Sequence, residues 1–347
     1  MKAPKSGSKA LIFLILLWAV LILVGYYYTH KPISPPDAVA LFNAVLQLLI
    51  AILMVIHAGG VGRQLLSLQD LAPLERVPLQ AALGLGILAL TWLLVGLLNL
   101  YTWWSAWGLL GLGLLVFRRK AWSWITDIAT IKSTWDGSPG FGRSLALICG
   151  IFASIQLFYA LAPPIKWDAL MYHLDLPSRY LAAEGFVYIH SNPYWGNPQL
   201  AELLYTWGIG LGGLEVANLL GWAFISLLLV GILGTISRWV SPNAAWLAVA
   251  TMLAGPSIRG LMSWAYVDGL AALFGFATLI STFYWIQKGH LRWLLWSGVF
   301  AGFAVFTKLT AAILLPALFL TVLIYHLFPS FFKKTSLPTI KAHDTPS

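Results

Sequence analysis

Charge is what this sequence has least of. Of its 347 residues only 10% are charged, with 12 acidic side chains against 21 lysines and arginines, while 59% are hydrophobic. A soluble domain carries roughly 25% charged residues. A chain this long and this poor in charge cannot cover a water-facing surface, which excludes a soluble enzyme, a nucleic-acid binder and a disordered protein. Cysteine is nearly absent too. Cys149 stands alone in an apolar run, so there is no intramolecular disulfide framework and no Cys-rich metal site. No HExxH or paired-His spacing, heptad pattern, repeat of fixed period or low-complexity segment is present.

What is present is a succession of apolar runs. A helix needs about 20 mainly apolar residues to cross the hydrocarbon core. Runs of that kind lie at 10–28, 38–57, 79–99, 103–117, 144–162, 214–236, 243–258, 265–286, 292–307 and 309–328. The fold class expected is therefore all-α, a polytopic integral membrane protein of about ten transmembrane helices. The first run ends in Tyr26-Tyr27-Tyr28 rather than a small-residue cleavage site, so it reads as an uncleaved span with an interfacial tyrosine belt. The stretch 198–212 is short and broken by glycine, and reads as a helix near the interface.

The scarce cations carry the topology. With the N-terminus in the cytoplasm and the spans alternating, the inner side receives most of the 21 basic residues, among them Lys2, Lys5, Lys9, Arg63, Arg76 and the run Arg118-Arg119-Lys120. The outer side keeps Lys31, Lys166, Arg179, Arg259 and Lys308. This is the positive-inside bias. It explains the net charge of +9 without an acidic partner. The chain divides into a four-span region (1–120), a cytoplasmic connector (121–143), a membrane module (144–330) with an outer loop at 163–201, and a polar tail (331–347). The absence of a targeting signal suits a bacterial inner (plasma) membrane.

The polar residues gather in that outer loop, which is expected to carry juxtamembrane helices. With Glu202 it holds Asp168, Asp175 and Glu184, four of the 12 acids, interleaved with Lys166, His173, Arg179, His190 and several tyrosines and tryptophans. Long loops of this composition tend to be functional. Asp168, Tyr172, Asp175 and Arg179 are spaced 4, 3 and 4, one face of a helix. Leu170, Leu174 and Leu181 lie opposite and could rest on the membrane surface. A plain solvated face with an Asp175–Arg179 pair accounts for the same spacing. Glu202 enters the next helix, where a carboxylate is costly unless it faces water or a partner. Asp268 and Lys308 sit among apolar residues near the same outer face.

The runs PPIKWDALMYHLDLPSRYL, NPYWGNPQLAELLYTWGIGLGG, YVDGLAALFGFATL and GFAVFTKLTAAILLPAL resemble the polytopic GT-C glycosyltransferases. The nearest in kind are family-39-like and RgtA/B/C/D-like bacterial membrane proteins, relatives of protein mannosyltransferases and of the aminoarabinose transferase of lipid A. The resemblance covers about 144–320. It implies a polyprenyl-phosphate sugar donor, a glycan, lipid or protein acceptor, and a first-loop acid at Asp168. Many relatives have two adjacent acids there; here Ala169 follows, so Glu202 would supply any second carboxylate. Lys308 matches a family lysine. A divalent metal ion near Asp168 occurs in the superfamily, though no ligand cluster here requires one. The catalytic candidates are Asp168 and Glu202. Lys166, Tyr172, His173, Asp175, Arg179, Asp268 and Lys308 are the substrate-binding candidates. The chain ends shortly after Phe328-Pro329, which keeps open a truncated or inactive GT-C-like protein beside the enzyme. A transporter or flippase is a third reading, disfavoured by ionisable groups gathered in a loop rather than at the midplane.

Overall fold

The computed structural model describes residues 7–30, 34–68 and 71–328. The polar tail at 331–347, Lys2, Lys5 and Lys31 lie outside the described residues, as does the side chain of Lys9. Every regular element among the described residues is helical: α1 (Gly7–His30), α2 (Pro35–Leu65), α3 (Pro73–Leu97), α4 (Trp103–Ile128), α5 (Ile131–Asp136), α6 (Phe141–Ala160), α7 (Asp175–Ala182), α8 (Leu200–Gly212), α9 (Leu214–Trp239), α10 (Pro242–Ala254), α11 (Pro256–Leu261), α12 (Asp268–Lys288), α13 (Leu291–Thr307) and α14 (Leu314–Leu327). Among the described residues six helical segments are long and apolar enough to cross a bilayer: Pro35–Leu65, Pro73–Leu97, Phe141–Ala160, Leu214–Trp239, Asp268–Lys288 and Leu309–Leu327. The protein is thus a polytopic, all-α membrane protein.

The chain forms two units, Met1–Leu46 and Gln47–Ser347. The first holds α1 and the start of α2. Leu16 and Trp18 of α1 are 60% and 64% exposed, as suits a helix whose side chains face lipid. The second unit contains the core, in which α3 and α9 are the most enclosed spans.

Local chemistry sets the helix ends. Pro73 opens α3 at a position where its missing N–H costs nothing, and Glu75 accepts from the Ala72 backbone N–H at 3.0 Å. Ser241 caps α10 by accepting from the Ala244 N–H at 3.2 Å, ahead of Pro242. The expected span at 243–258 is not one helix: α10 stops at Ala254, and Pro256 starts the short α11. The expected connector at 121–143 is partly helix, because α4 runs on to Ile128. The run at 309–328 opens with a 3-10 turn, Leu309–Ile313, before α14. The segment 198–212 is a helix, as expected. As α8 it is buried along most of its length, and Trp207 donates to the Ala106 carbonyl at 3.0 Å.

Two close backbone approaches hold α2 on α3. A Cβ at Gly62 would stand 1.7 Å from the Gln80 carbonyl oxygen, and one at Gly84 would stand 1.8 Å from that of Ala58. Small residues of this kind let helices meet where water supplies no hydrophobic drive. At one end of the bundle, buried Glu75 accepts from Arg238 at 2.6 Å and from the Trp239 indole at 3.2 Å, joining α3 to α9. At the same end Asp127 of α4 binds Arg63 and Arg76, the latter through Nε at 2.6 Å and Nη2 at 2.7 Å. The opposite end of α3 meets the 163–201 segment, where Phe186 N–H donates to the Gly96 carbonyl at 2.9 Å and Tyr101 N–H to that of Glu184 at 2.9 Å.

Candidate active site

The site is built where the 163–201 segment, the start of α8, the loop before α12 and the end of α13 converge. Pro163 and Pro164 separate the segment from α6. Its first half does not form one continuous α-helix. A π-helical turn, Ala169–His173, gives way at Leu174 to α7. That break rotates the two halves relative to each other and undoes the expected single face. Asp168, Tyr172 and His173 stay with the π turn, while Asp175 and Arg179 go with α7. Leu174, expected on the membrane surface, is buried, whereas Leu170 is exposed.

Asp175 and Arg179 are part of a local scaffold. Arg179 Nε donates to both Asp175 carboxylate oxygens at 2.9 and 3.0 Å, and its Nη1 donates to Ser191 Oγ at 3.0 Å. Asn192 Nδ2 donates to Asp175 Oδ2 at 3.0 Å and to the Met171 carbonyl at 2.9 Å. The pair therefore ties α7 to the turn at 191–192. Arg259 is also occupied: Nη1 donates to the Leu253 and Ala254 carbonyls at the end of α10.

The other candidates come together. His173 Nδ1 is 2.6 Å from Glu202 Oε1, with both side chains buried. With Glu202 as the carboxylate, Nδ1 donates and the contact sets the ring's tautomer. Glu202 sits in the first turn of α8, where the helix dipole favours negative charge. Its other oxygen, Oε2, is buried and has no hydrogen-bond partner among the described residues.

Around this pair runs a row of rings. Tyr172 stacks on Tyr194 at 4.3 Å between centroids and lies 4.0 Å from the His173 ring. On its other side His173 faces Tyr266 at 5.8 Å, and Tyr266 meets Trp264 edge-on at 5.4 Å. Lys166 Nζ lies over the Trp264 ring at 4.3 Å. Tyr205 of α8 donates to the Tyr266 carbonyl at 2.8 Å and holds that loop in place.

Three carboxylates act on the Tyr172 phenol. Burial first, then Asp168, Glu202, Tyr194 and Asp268, push its phenol up to about 12. Tyr266 is raised likewise by burial, with Asp168 and Asp268 adding to it. Asp168 is only half-buried, unlike Glu202. Asp268 is bound by Lys308, Nζ to Oδ1 at 2.5 Å. This pairing follows from topology: α12 and α13 form an antiparallel hairpin around Gly289, whose φ of +68° is a left-handed helix cap. The start of one helix therefore lies beside the end of the other. Each charge also suits its helix terminus, acid at the start of α12 and base at the end of α13.

Among the described residues no three His, Cys, Asp or Glu side chains cluster to hold a metal ion. Sequence reasoning counted Tyr194 among the loop aromatics without singling it out, and overlooked Trp264 and Tyr266. It placed His173 next to Tyr172 but had no means of pairing it with Glu202.

Residues 198–341 match the family model of dolichyl-phosphate-mannose-protein mannosyltransferases, a GT-C glycosyltransferase family. The match bears out the resemblance over that part of the chain. It includes Glu202, Asp268 and Lys308, and leaves Lys166, Asp168, Tyr172 and His173 outside. No curated protein and no solved structure gives a match.

Proposed function

We propose, from the similarity of residues 198–341 to the mannosyltransferases of the GT-C superfamily, that the protein transfers a sugar from a polyprenyl phosphate to an acceptor hydroxyl at the membrane face bearing the 163–202 segment. The family uses a lipid-linked sugar donor, so the reacting bond joins the anomeric carbon to a phosphate oxygen. The acceptor oxygen attacks that carbon, the carbon–oxygen bond to phosphate breaks, and polyprenyl phosphate leaves with the electron pair.

Asp168 takes the acceptor's proton. It is the one carboxylate of the group that is neither buried nor held in an ion pair, which is what a general base needs in order to meet a substrate. Lys308, kept beside Asp268 with both side chains more than a third exposed, supplies positive charge to the leaving phosphate, and Lys166 adds to it. Glu202 acts through His173, fixing the imidazole between the tyrosines. The rings of Tyr172, Tyr194 and Trp264 offer flat apolar faces for the sugar. The observation that best supports this reading is the buried Glu202–His173 contact at 2.6 Å with the Tyr172 ring 4.0 Å from the imidazole.

The test is glycan and glycolipid analysis of a strain lacking the gene, with and without the wild-type copy. A sugar lost on deletion and restored by the copy, with the polyprenyl-linked form of that sugar accumulating in the deletion, supports transfer. An unchanged glycan and lipid-linked sugar profile contradicts it.

A further inference from the structure

Far from the candidate active site, at the end of the bundle where α2 ends and α3 begins, lies a cavity of about 340 Å³. Arg63, Arg76, Arg119 and Lys120 line it. Asp127 binds Arg63 and Arg76, two of these four cations, and fixes their guanidinium groups. Arg119 and Lys120 are exposed and make no ion pair among the described residues. Gln80 also lines the cavity. It is 2% exposed, donates Nε2 to the Leu66 carbonyl at 3.0 Å, and leaves Oε1 without a partner among the described residues.

A second cavity, of about 580 Å³, shares Arg119 and Lys120 as walls and is otherwise lined by Leu115, Val116, Phe117, Arg118 and Gln64. On α4, Leu115 precedes Arg119 by four residues and Val116 precedes Lys120 by four. Each apolar side chain therefore lies one turn from a cation on the same face. Leu115 and Val116 are exposed. The protein thus presents an apolar track that ends in a basic recess.

We infer that this recess binds the phosphate of an anionic phospholipid, with the headgroup among Arg63, Arg76, Arg119 and Lys120 and an acyl chain along Leu115 and Val116. A positive-inside orientation places it in the leaflet opposite the sugar-transfer face. Free phosphate would use the cations alone. The continuous apolar wall favours a lipid, and basic recesses between spans are the usual seat of such headgroups. The site is separate from the proposed transfer chemistry and does not depend on it.

Thermal unfolding of the full chain in a neutral detergent tests it, with dioleoylphosphatidylglycerol titrated in and dioleoylphosphatidylcholine, glycerol phosphate and inorganic phosphate in parallel. A ligand bound only by the folded state raises the melting temperature with the logarithm of its concentration above Kd. The phosphatidylglycerol should stabilise the wild type, and Arg119→Gln/Lys120→Gln should need about tenfold more of it or more. Arg143→Gln, outside the recess, should respond as the wild type does. The proposal is overturned if the double variant responds like the wild type or if phosphatidylcholine works as well. It is overturned as a lipid site if either soluble phosphate reproduces the shift.

Discussion

His173 and Glu202, 29 residues apart in sequence, meet at 2.6 Å between Nδ1 and Oε1 in a buried contact. A buried imidazole held by a carboxylate has one tautomer and one orientation. Glu202→Gln keeps the volume and an acceptor oxygen but removes the charge. The chain should fold, and sugar transfer should fall on the order of 100-fold. Glu202→Leu strands the imidazole and should also cost about 2 kcal/mol of stability. Transfer rates measured beside melting curves separate the two effects. Equal transfer by Glu202→Gln and the wild type would remove the dyad from the chemistry.

The Lys308–Asp268 pair separates stability from function in the opposite way. Its side chains are 37% and 39% exposed. Exposed pairs contribute about 1 kcal/mol or less. Lys308→Ala should therefore leave the melting temperature nearly unchanged while raising the KM for the lipid-linked donor about tenfold or more. A steady-state titration of donor checks this. A stability loss with an unchanged KM would make the pair a simple clamp across the α12–α13 hairpin.

The Tyr172 phenol ionises only near about 12, raised from 10.0 by burial and then by its carboxylate neighbours. The raised value means the folded state holds this proton more tightly than the unfolded chain. Its contribution is therefore full below pH 10 and is lost as pH rises through about 12. Ultraviolet difference spectra of the wild type against Tyr172→Phe should show no tyrosinate signal from this residue at pH 10. A titration at the ordinary tyrosine value would place the phenol in open water, away from Asp168, Glu202 and Asp268.

The helix contact between α2 and α3 predicts a sharp contrast among glycines. Gly62→Ala and Gly84→Ala drive a methyl into carbonyl oxygens at 1.7 and 1.8 Å, so the helices must separate. Each should cost about 2 kcal/mol or more. Gly150→Ala on α6 meets nothing within 4 Å and should be neutral or slightly stabilising. Melting temperatures in detergent measure both.

Much of the fold was legible because membrane spans announce themselves through length and apolarity alone. The expected apolar runs are helical for most of their length, six of them as helices long enough to span, and departures such as the split of 243–258 at Gly255-Pro256 came from local backbone chemistry. The hairpin logic behind Asp268 and Lys308 was also in reach, since both flank apolar runs that face the same side. The 4-3-4 spacing of Asp168, Tyr172, Asp175 and Arg179 misled, because spacing assumes a uniform α-helix and the π turn at 169–173 changes the rotation per residue. The burial of α8 and the His173–Glu202 contact depend on tertiary packing, which carries no local signature. Glu75 and Asp127 likewise had no sequence cue: each is one acid among apolar or basic neighbours, and its role appears only once α3, α4 and α9 are packed.

The most direct measurement is transfer of a polyprenyl-phosphate-linked sugar by the membrane-reconstituted chain carrying Asp168→Asn, beside the wild type at matched protein level. Asparagine keeps the shape of Asp168 and cannot take the acceptor's proton. Donor binding should survive, while sugar transfer and release of polyprenyl phosphate fall together by about 100-fold or more. Full transfer by Asp168→Asn would contradict the assignment of this residue as the base.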